Sequence, residues 1–546
     1  MWQVSCPEMN DNMRKLLIVA AAVAAVCAVV AQKVQNPLNK LRYAESAIKQ
    51  LYVDTVDEDK LVEDAIRGML EKLDPHSSYS TPEETRELNE PLEGNFSGIG
   101  ISYNLITDTV YVIQTIGGGP SEKVGILPGD RIIAVNDSSI AGQKYKTSDV
   151  SKRLRGPKGS QVVLTTLRSE PGRAADTIKF HVTRDDIPIY SVDASYMVSP
   201  ETGYIAVNKF AAETANEFRE ALRGLQKKGM KNLILDLTDN TGGYLHSSVD
   251  MLGELLDDGR LVVYTEGVNS ERRDFKARAS KGKPLFADGR LVVMANQYSA
   301  SAAEIMSGAV QDWDRGLIVG RRTYGKGLVQ RPIPFPDGSM IRLTTAHYYT
   351  PAGRDIQKPY EKGAADAYRD DISERFNHGE LMHADSTHYD EKLRTSTLLH
   401  GRKIYGGGGI SPDCFVPLDT MPLSRYYREL TAKGLIIKYS VNYVDSHRKE
   451  IKKLYKDDNK FVSGFEVSPV MLDEIKAMAD KAGIKFDQKE YDRCVPLLKT
   501  VVKGLISRDI YENQTYDKVY NSHNDIFREA LRVIESEDYD KLLSGK

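Results

Sequence analysis

From Tyr204 onward, two kinds of apolar run alternate: Y-I-A-V-N, A-N-E-F-R-E-A-L-R-G-L, N-L-I-L-D-L, V-D-M-L-G-E-L-L, L-V-V-M-A, then S-A-A-E-I-M-S-G-A-V. The short, continuous runs suit buried strands. The longer ones place their apolar residues three and four apart, as a helix with one buried face requires. This alternation predicts an α/β core with largely parallel strands, and it excludes an all-β or all-helical centre for the chain.

The flanks follow other patterns. Residues 38–92 read as helices, with Leu61, Ala65, Gly68, Met69 and Leu73 forming a stripe that closes at the breaker pair Asp74-Pro75 of L-D-P-H-S-S-Y. From Gly94 the runs become short and β-rich (T-V-Y-V-I, D-R-I-I-A-V, Q-V-V-L-T-T-L, T-I-K-F-H-V) between glycine, proline and aspartate turns, the pattern of a small β domain. Beyond residue 420 the chain is charged, tyrosine-rich and helical. Ser468 is the expected cap of a helix with Pro469 first, Leu472, Ile475, Met478 and Ala479 as its stripe, and Gly483 as its stop. A length of 546 residues accommodates these units as separate cores.

The N-terminal segment M-R-K-L-L-I-V-A-A-A-V-A-A-V-C-A-V-V-A has a basic start at Met13 and an apolar run of 16 residues from Leu16 to Ala31. Such a stretch reads as a signal peptide or signal anchor, hence as export. Cleavage there would leave only Cys414 and Cys494, outside any C-x-x-C pair, so the sequence offers no metal site and no disulfide framework, although an oxidising compartment would permit one incidental bond between them. Lys and Arg number 74 against 77 Asp and Glu, for a formal net charge of −3, which argues against nucleic acid as a partner.

Two stretches of the β domain carry recognition chemistry. Glycines in F-S-G-I-G-I, Phe96 to Ile101, allow successive backbone N–H groups to converge on an anion where a loop enters a strand. Downstream, G-P-S-E-K-V-G-I-L-P-G-D-R-I-I-A-V-N-D resembles the helix, turn and strand of PDZ domains, over roughly residues 93–185. The resemblance makes Phe96, Ser97, Gly98, Ile99, Gly100 and Ile101 the loop that binds a peptide carboxylate, the peptide adding as a strand.

In N-Q-Y-S-A-S-A-A-E-I-M-S-G-A-V two serines stand one residue apart where a strand gives way to a helix. Ser301 with Glu304 forms the S-x-x-E pattern of a capping box, which by itself marks only a helix start. A serine nucleophile needs a base. The histidines nearest the core, His246 and His347, lie in no catalytic setting, and the serine stretch lacks the G-x-S-x-G form. Lysine is the other base available to a serine, and Lys326 sits between glycines in R-R-T-Y-G-K-G-L-V-Q, 25 residues after Ser301. A strand beginning at Lys326 would put Lys326 and Gln330 on one face, with Cα atoms about 13 Å apart.

These motifs, with L-D-P-H-S-S-Y, L-D-L-T-D-N-T-G-G, Y-Y-T-P-A-G-R-D-I-Q and Y-G-G-G-G-I-S-P-D, resemble the C-terminal processing (tail-specific) serine peptidases, over about residues 40–418, with a tail like that of the Bacteroidetes-type members. The resemblance implies Ser301 as nucleophile, Lys326 as base and Gln330 as its helper. It also implies an oxyanion hole formed by the N–H of Ala302 and that of Gly242 or Gly243. Thr238 stands where the family has arginine.

It implies, further, a ClpP/crotonase-like α/β core with an inserted PDZ domain and no cofactor. The expected units are a signal peptide or anchor at 1–31, helices at 38–92, a PDZ domain at 93–185, a peptidase domain at 186–420 and a helical region at 421–546. The expected activity is endoproteolysis of proteins with free C-terminal tails. It would take place in the periplasm or cell envelope, with membrane contact only through the N-terminal segment and homo-oligomerisation left open. The competing expectation is a PDZ scaffold or chaperone without the chemistry. Residues 361–399, with His378, His383 and His388, read as a solvated loop, with contact to substrate as the competing expectation.

Overall fold

The computed structural model describes residues 36–106, 108–168 and 175–546; the signal segment expected at 1–31 lies outside them. A six-stranded sheet forms the centre, in the order Val192–Met197, Thr202–Val207, Asn232–Asp236, Leu291–Ala295, Leu317–Gly320, Cys414–Phe415. Only the first pairing is antiparallel. Successive side chains leave opposite faces of each strand. Leu233, Leu235 and Val293 therefore meet the helices Thr214–Lys227 and Ala302–Asp312, in a core with Phe218, Leu222, Ala303 and Met306. Ile234, Val292 and Met294 enter a second core on the far face.

That far face is closed by the C-terminus. Ile526, Phe527, Ala530, Val533 and Ile534 of the helix Asp525–Glu535 pack on it, and the Tyr539 hydroxyl both accepts from the Leu291 N–H (3.0 Å) and donates to the Leu291 carbonyl (2.9 Å). A parallel sheet needs cover on both sides. The helical region drawn at 421–546 thus divides: helices from Arg425 to Ile510 form a bundle with its own core, while residues 525–544 complete the peptidase core. Ser468, Pro469 and Gly483 bound the helix Pro469–Lys481 with Leu472, Ile475 and Ala479 buried, as its sequence predicts.

A second sheet carries the site. The strand Met340–Tyr349 pairs with Leu328–Pro334, with Leu261–Gly267 and with Ser78–Ser80. The last of these comes from the region drawn as purely helical. In the helix Glu58–Leu70 the inward face runs through Leu61, Ala65, Ile66 and Leu70, whereas Met69 and the following Leu73 are 52% and 45% exposed. The helix Pro37–Leu51 buries none of its apolar side chains. Among the described residues no helix is long and apolar enough to cross a membrane.

The small β domain is a sheet ordered Ile101–Ile106, Thr109–Thr115, Arg131–Val135, Gln161–Arg168, Asp176–Thr183, roofed by the helix Thr147–Leu154. Strands Asn95–Gly98 and Asp185–Pro188 pair at its base, so the boundary drawn at 185 falls within the last strand. The bundle grips this domain: the Gln114 side-chain amide donates to the Arg508 carbonyl (2.6 Å), and Ile113 packs on Val441. Cys414 and Cys494 are both free thiols, which removes the incidental disulfide.

Candidate active site

Between the strand Leu291–Ala295 and the helix Ala302–Asp312 the chain turns sharply. Ser301 takes φ 56° and ψ −113°, a conformation that costs a residue with a Cβ about 1–3 kcal/mol. The surroundings impose it. The Ala300 N–H donates to the Asn240 carbonyl (2.9 Å), the Tyr324 N–H to the Ser299 carbonyl (3.0 Å), and the Ser301 N–H to Glu304 Oε2 (2.8 Å). The S-x-x-E pattern is thus only half a capping box. Glu304 does reach back to the Ser301 N–H, but its own N–H goes to the Ser301 carbonyl (2.9 Å) and the Ser301 hydroxyl caps nothing. The result is a strained strand–turn–helix corner that presents a hydroxyl without G-x-S-x-G glycines.

Ser299 is the opposite case. Its hydroxyl is fully buried, donates to the Leu237 carbonyl (2.7 Å) and accepts from the Asn296 N–H (2.9 Å), which makes it part of the turn's framework.

Glu304 joins this corner to the lysine loop. Its Oε1 accepts from the Thr323 hydroxyl (2.6 Å) and the Gly325 N–H (2.7 Å), and its Oε2 accepts from the Lys326 N–H (2.9 Å) as well as from Ser301. One carboxylate oxygen therefore holds the amides of Ser301 and Lys326, with their nitrogens within about 6 Å of each other. Glu304 is fully buried, which pushes its carboxyl up against the opposing pull of these four donors.

Lys326 is half-buried, and no hydrogen bond or ion pair engages its amine among the described residues. Burial holds that amine below lysine's ordinary 10.5, helped by the Arg342 charge and opposed by Glu304 and Asp74. Gly327 is required beside it, since a Cβ there would lie 2.4 Å from the Gln357 nitrogen.

The glycine pair separates into two roles. The Gly242 N–H is committed to Asn240 Oδ1 (2.8 Å), and Gly242 has no side chain because a Cβ would stand 2.7 Å from Ser301 Cβ and 3.0 Å from the Ala302 nitrogen. The N–H groups of Gly243 and Ala302 have no acceptor among the described residues, so these two flank the Ser301 corner with donors to spare. Thr238 folds onto Asp236 through its N–H (2.8 Å) and hydroxyl (2.7 Å).

Gln330 lies elsewhere than expected. The strand begins at Leu328, past Lys326, so strand alternation does not put Lys326 and Gln330 on a shared face; the register shift opposite Val329 and Gln330 skips Thr345 on the partner strand. Its amide donates to the Thr344 hydroxyl (3.4 Å) and makes no hydrogen bond to Lys326. His246 stacks on Tyr244, and His347 bonds Asp355 (3.0 Å); neither bonds a serine of the motif.

His76 does reach the site, although the sequence offered L-D-P-H-S-S-Y only as a breaker and as part of the family resemblance, with no role for the histidine. Asp74 Oδ1 accepts the His76 and Ser77 N–H groups (2.8 and 2.9 Å) and the Thr344 hydroxyl (2.9 Å). The ring is pushed down to about 4 by burial first and by the Lys326 charge second, with Asp74 opposing and Lys358 assisting. An unfolded chain takes up this proton near 6.5, so the folded state loses stability as pH falls from 6.5 toward 4. His76→Gln is expected to flatten the fall in melting temperature across that window, and an unchanged slope would rule His76 out as its source.

In the β domain, Ile101–Ile106 is an edge strand facing the helix Thr147–Leu154, and the Tyr103 hydroxyl spans the gap to Ser151 Oγ (2.8 Å) and the Thr147 carbonyl (3.1 Å). The N–H groups of Ile99 and Gly100, at the head of that strand, have no acceptor among the described residues. Phe96 lies under the Arg155 guanidinium (4.5 Å), the Ser97 hydroxyl donates to Asp186 (3.0 Å), and Gly98 and Ile101 frame the turn.

Residues 201–364 match peptidase family S41, residues 112–168 a PDZ domain, residues 18–85 the activating protease CtpB N-terminal domain, and residues 426–512 a family of unknown function. The carboxy-terminal-processing protease of Bartonella bacilliformis is 33% identical over 359 residues, 63% of this chain and 80% of that one. The carboxy-terminal processing protease CtpA of Bacillus subtilis is 35% identical, over 59% and 67% of the two chains. A probable CtpA-like serine protease of Staphylococcus epidermidis is 35% identical over 58% of this chain, which spans 63% of that relative's length. Among solved structures, the photosystem II D1 C-terminal processing protease is 31% identical, covers 59% of this chain and 84% of its own, and gives a TM-score of 0.33. The chain belongs to peptidase family S41, the carboxy-terminal processing serine proteases.

Proposed function

We propose that this chain is an exported endopeptidase that cuts proteins presented by their C-terminal tails, with Ser301 as nucleophile and Lys326 as base. The observation that carries the reading is the shared Glu304 oxygen, which brings an unengaged serine hydroxyl and an unpaired, half-buried lysine into one corner.

In the proposed reaction Ser301 Oγ attacks the scissile carbonyl carbon as its proton passes to Lys326 Nζ. The carbonyl oxygen, now negative, is received by the N–H groups of Ala302 and Gly243, donors typically worth about 3–4 kcal/mol each. Lys326 then gives the proton to the leaving amine, the C–N bond breaks and an acyl-enzyme remains. Water attacks that ester as Lys326 takes its proton and returns it to Ser301 Oγ. Gln330 enters only through Thr344 and Asp74, as a support for the loop rather than a direct partner of the base.

The tail carboxylate is taken by the free N–H groups of Ile99 and Gly100, and the preceding residues add as a strand along Ile101–Ile106, displacing Tyr103 from the helix. The basic, apolar N-terminal segment supports placement in the periplasm or cell envelope.

Two peptides of identical sequence, one with a free C-terminal carboxylate and one amidated, test this reading. The free acid is expected to be cut with kcat/KM about tenfold higher, since hydrogen bonds to a charged group are worth roughly 1.5–3 kcal/mol. Equal rates would reject tail capture, and cleavage of neither would reject the protease.

A further inference from the structure

The segment 361–399 is not a solvated loop. It contains the helix Ala365–Asn377, which buries Tyr368 and Arg375 against the lysine loop. Arg375 donates to the carbonyls of Thr323 (3.1 Å) and Arg322 (2.7 Å) and is held by Glu380 (2.9 Å), which also pairs with Arg322 (2.7 Å). The backbone at Arg322, Thr323, Gly325 and Lys326 itself is thus fixed from the insertion or from Glu304.

On the other side of Lys326 the anchor is Gln357. Its Oε1 accepts the Gly327 N–H (2.9 Å), while its Nε2 donates to the Lys358 carbonyl (2.7 Å) and to the Tyr368 hydroxyl (3.1 Å). That hydroxyl also stands 3.0 Å from His76 Nε2 and 3.4 Å from the Gly325 carbonyl. The Lys358 N–H reaches the same carbonyl (2.9 Å). One phenol therefore touches the residue before Lys326, the side chain that holds the residue after it, and the histidine of L-D-P-H-S-S-Y.

A lysine between two glycines has little backbone stiffness of its own, because glycine restricts neither φ nor ψ. A base must nevertheless be held within a fraction of an ångström of the proton it takes. We infer that Tyr368 is a positioning residue for Lys326: its hydroxyl fixes Gln357, and through it the Gly-Lys-Gly loop, so that the insertion helix is a working part of the active site. This inference rests on the reading of Lys326 as the base. Tyr368 touches no reacting atom, so its loss should slow the proton transfer without weakening substrate binding.

The test uses the full chain with Tyr368→Phe, which keeps the ring and removes only the hydroxyl. Tyr389→Phe, at an insertion tyrosine that stacks on Tyr405 instead, is the control, and Lys326→Ala is measured beside them. Against a fluorogenic peptide with a free carboxylate, normalised to folded protein by circular dichroism, Tyr368→Phe is expected to lower kcat about tenfold with KM unchanged, the scale of one buried hydrogen bond. The rate of Ser301 labelling by a fluorophosphonate should fall by the same factor, since acylation needs the same base. Tyr389→Phe should match the parent. A kcat for Tyr368→Phe within about twofold of the parent, with Lys326→Ala inactive, would overturn the inference alone. An active Lys326→Ala would overturn the inference and the dyad together.

Discussion

Alanine at Ser301 or at Lys326 should each lower kcat by a factor of about 10⁴ or more, and the double variant should be no slower than the worse single one, because a nucleophile and its base act as one unit. Under the proposed dyad, Ser301→Ala removes the atom that would form the acyl bond, and Lys326→Ala leaves a hydroxyl that stays protonated near neutral pH. Lys326→Arg should be as inactive as alanine, since a guanidinium does not give up its proton in proteins. The parent's kcat/KM should rise with pH along an acid limb that reports the free enzyme's Lys326. Burial disfavours the ammonium, so that limb should lie below lysine's ordinary 10.5. Ser299→Ala keeps the nucleophile and should keep most of the activity. It loses the hydrogen bonds to Leu237 and Asn296, at a cost of about 1 kcal/mol each in stability. Multiplicative losses in the double variant, or a Ser299→Ala as dead as Ser301→Ala, would show that the dyad is misassigned.

The proposed serine and lysine could be picked out because both stand in short motifs whose neighbours do local work: glycines where backbones touch, a glutamate three residues on. What joins them was not legible. Glu304 reads in sequence as a helix cap, and a cap satisfies donors of its own helix, whereas three of the four groups bound to Glu304 come from residues 323, 325 and 326, and only the Ser301 N–H belongs to its own helix start. Only the fold brings a loop some 20 residues away onto that carboxylate. For Gln330 the geometric premise was local: a face shared with Lys326 needs a strand that starts at 326, and the strand starts at Leu328. The helix Asp525–Glu535 fell within a region read only in general as helical, and its partner face is the alternate set of residues on strands hundreds of positions earlier, which periodicity alone does not pair. His76 and Tyr368 are 292 residues apart in the chain, and nothing in either neighbourhood specifies the other.

Glu304→Ala is the second change expected to be severe, and it separates assembly from chemistry. It would leave four donors without an acceptor, the buried Gly325 N–H and Thr323 hydroxyl at about 1–3 kcal/mol each and the part-buried N–H groups of Ser301 and Lys326 at less. The strained Ser301 conformation, itself costing about 1–3 kcal/mol, would lose one of the bonds that enforce it. A loss of several kcal/mol is thus expected, enough to lower the melting temperature by many degrees or to unfold the peptidase domain. Glu304→Gln is the informative companion because it preserves the volume. Only one amide atom can accept, so whichever way the group is turned, an NH₂ must face two donors that now share a carboxylate oxygen. If it turns toward Ser301 and Lys326, those two amides part; if toward Thr323 and Gly325, the loop lifts. Either way kcat should fall by about 10² or more, as for a misplacement near 1 Å, while circular dichroism still reports a folded chain. A Glu304→Gln variant with parental kcat would mean that the serine corner and the lysine loop hold their places without a shared carboxylate, and the site would have to be built on the Asn240 and Gln357 contacts instead.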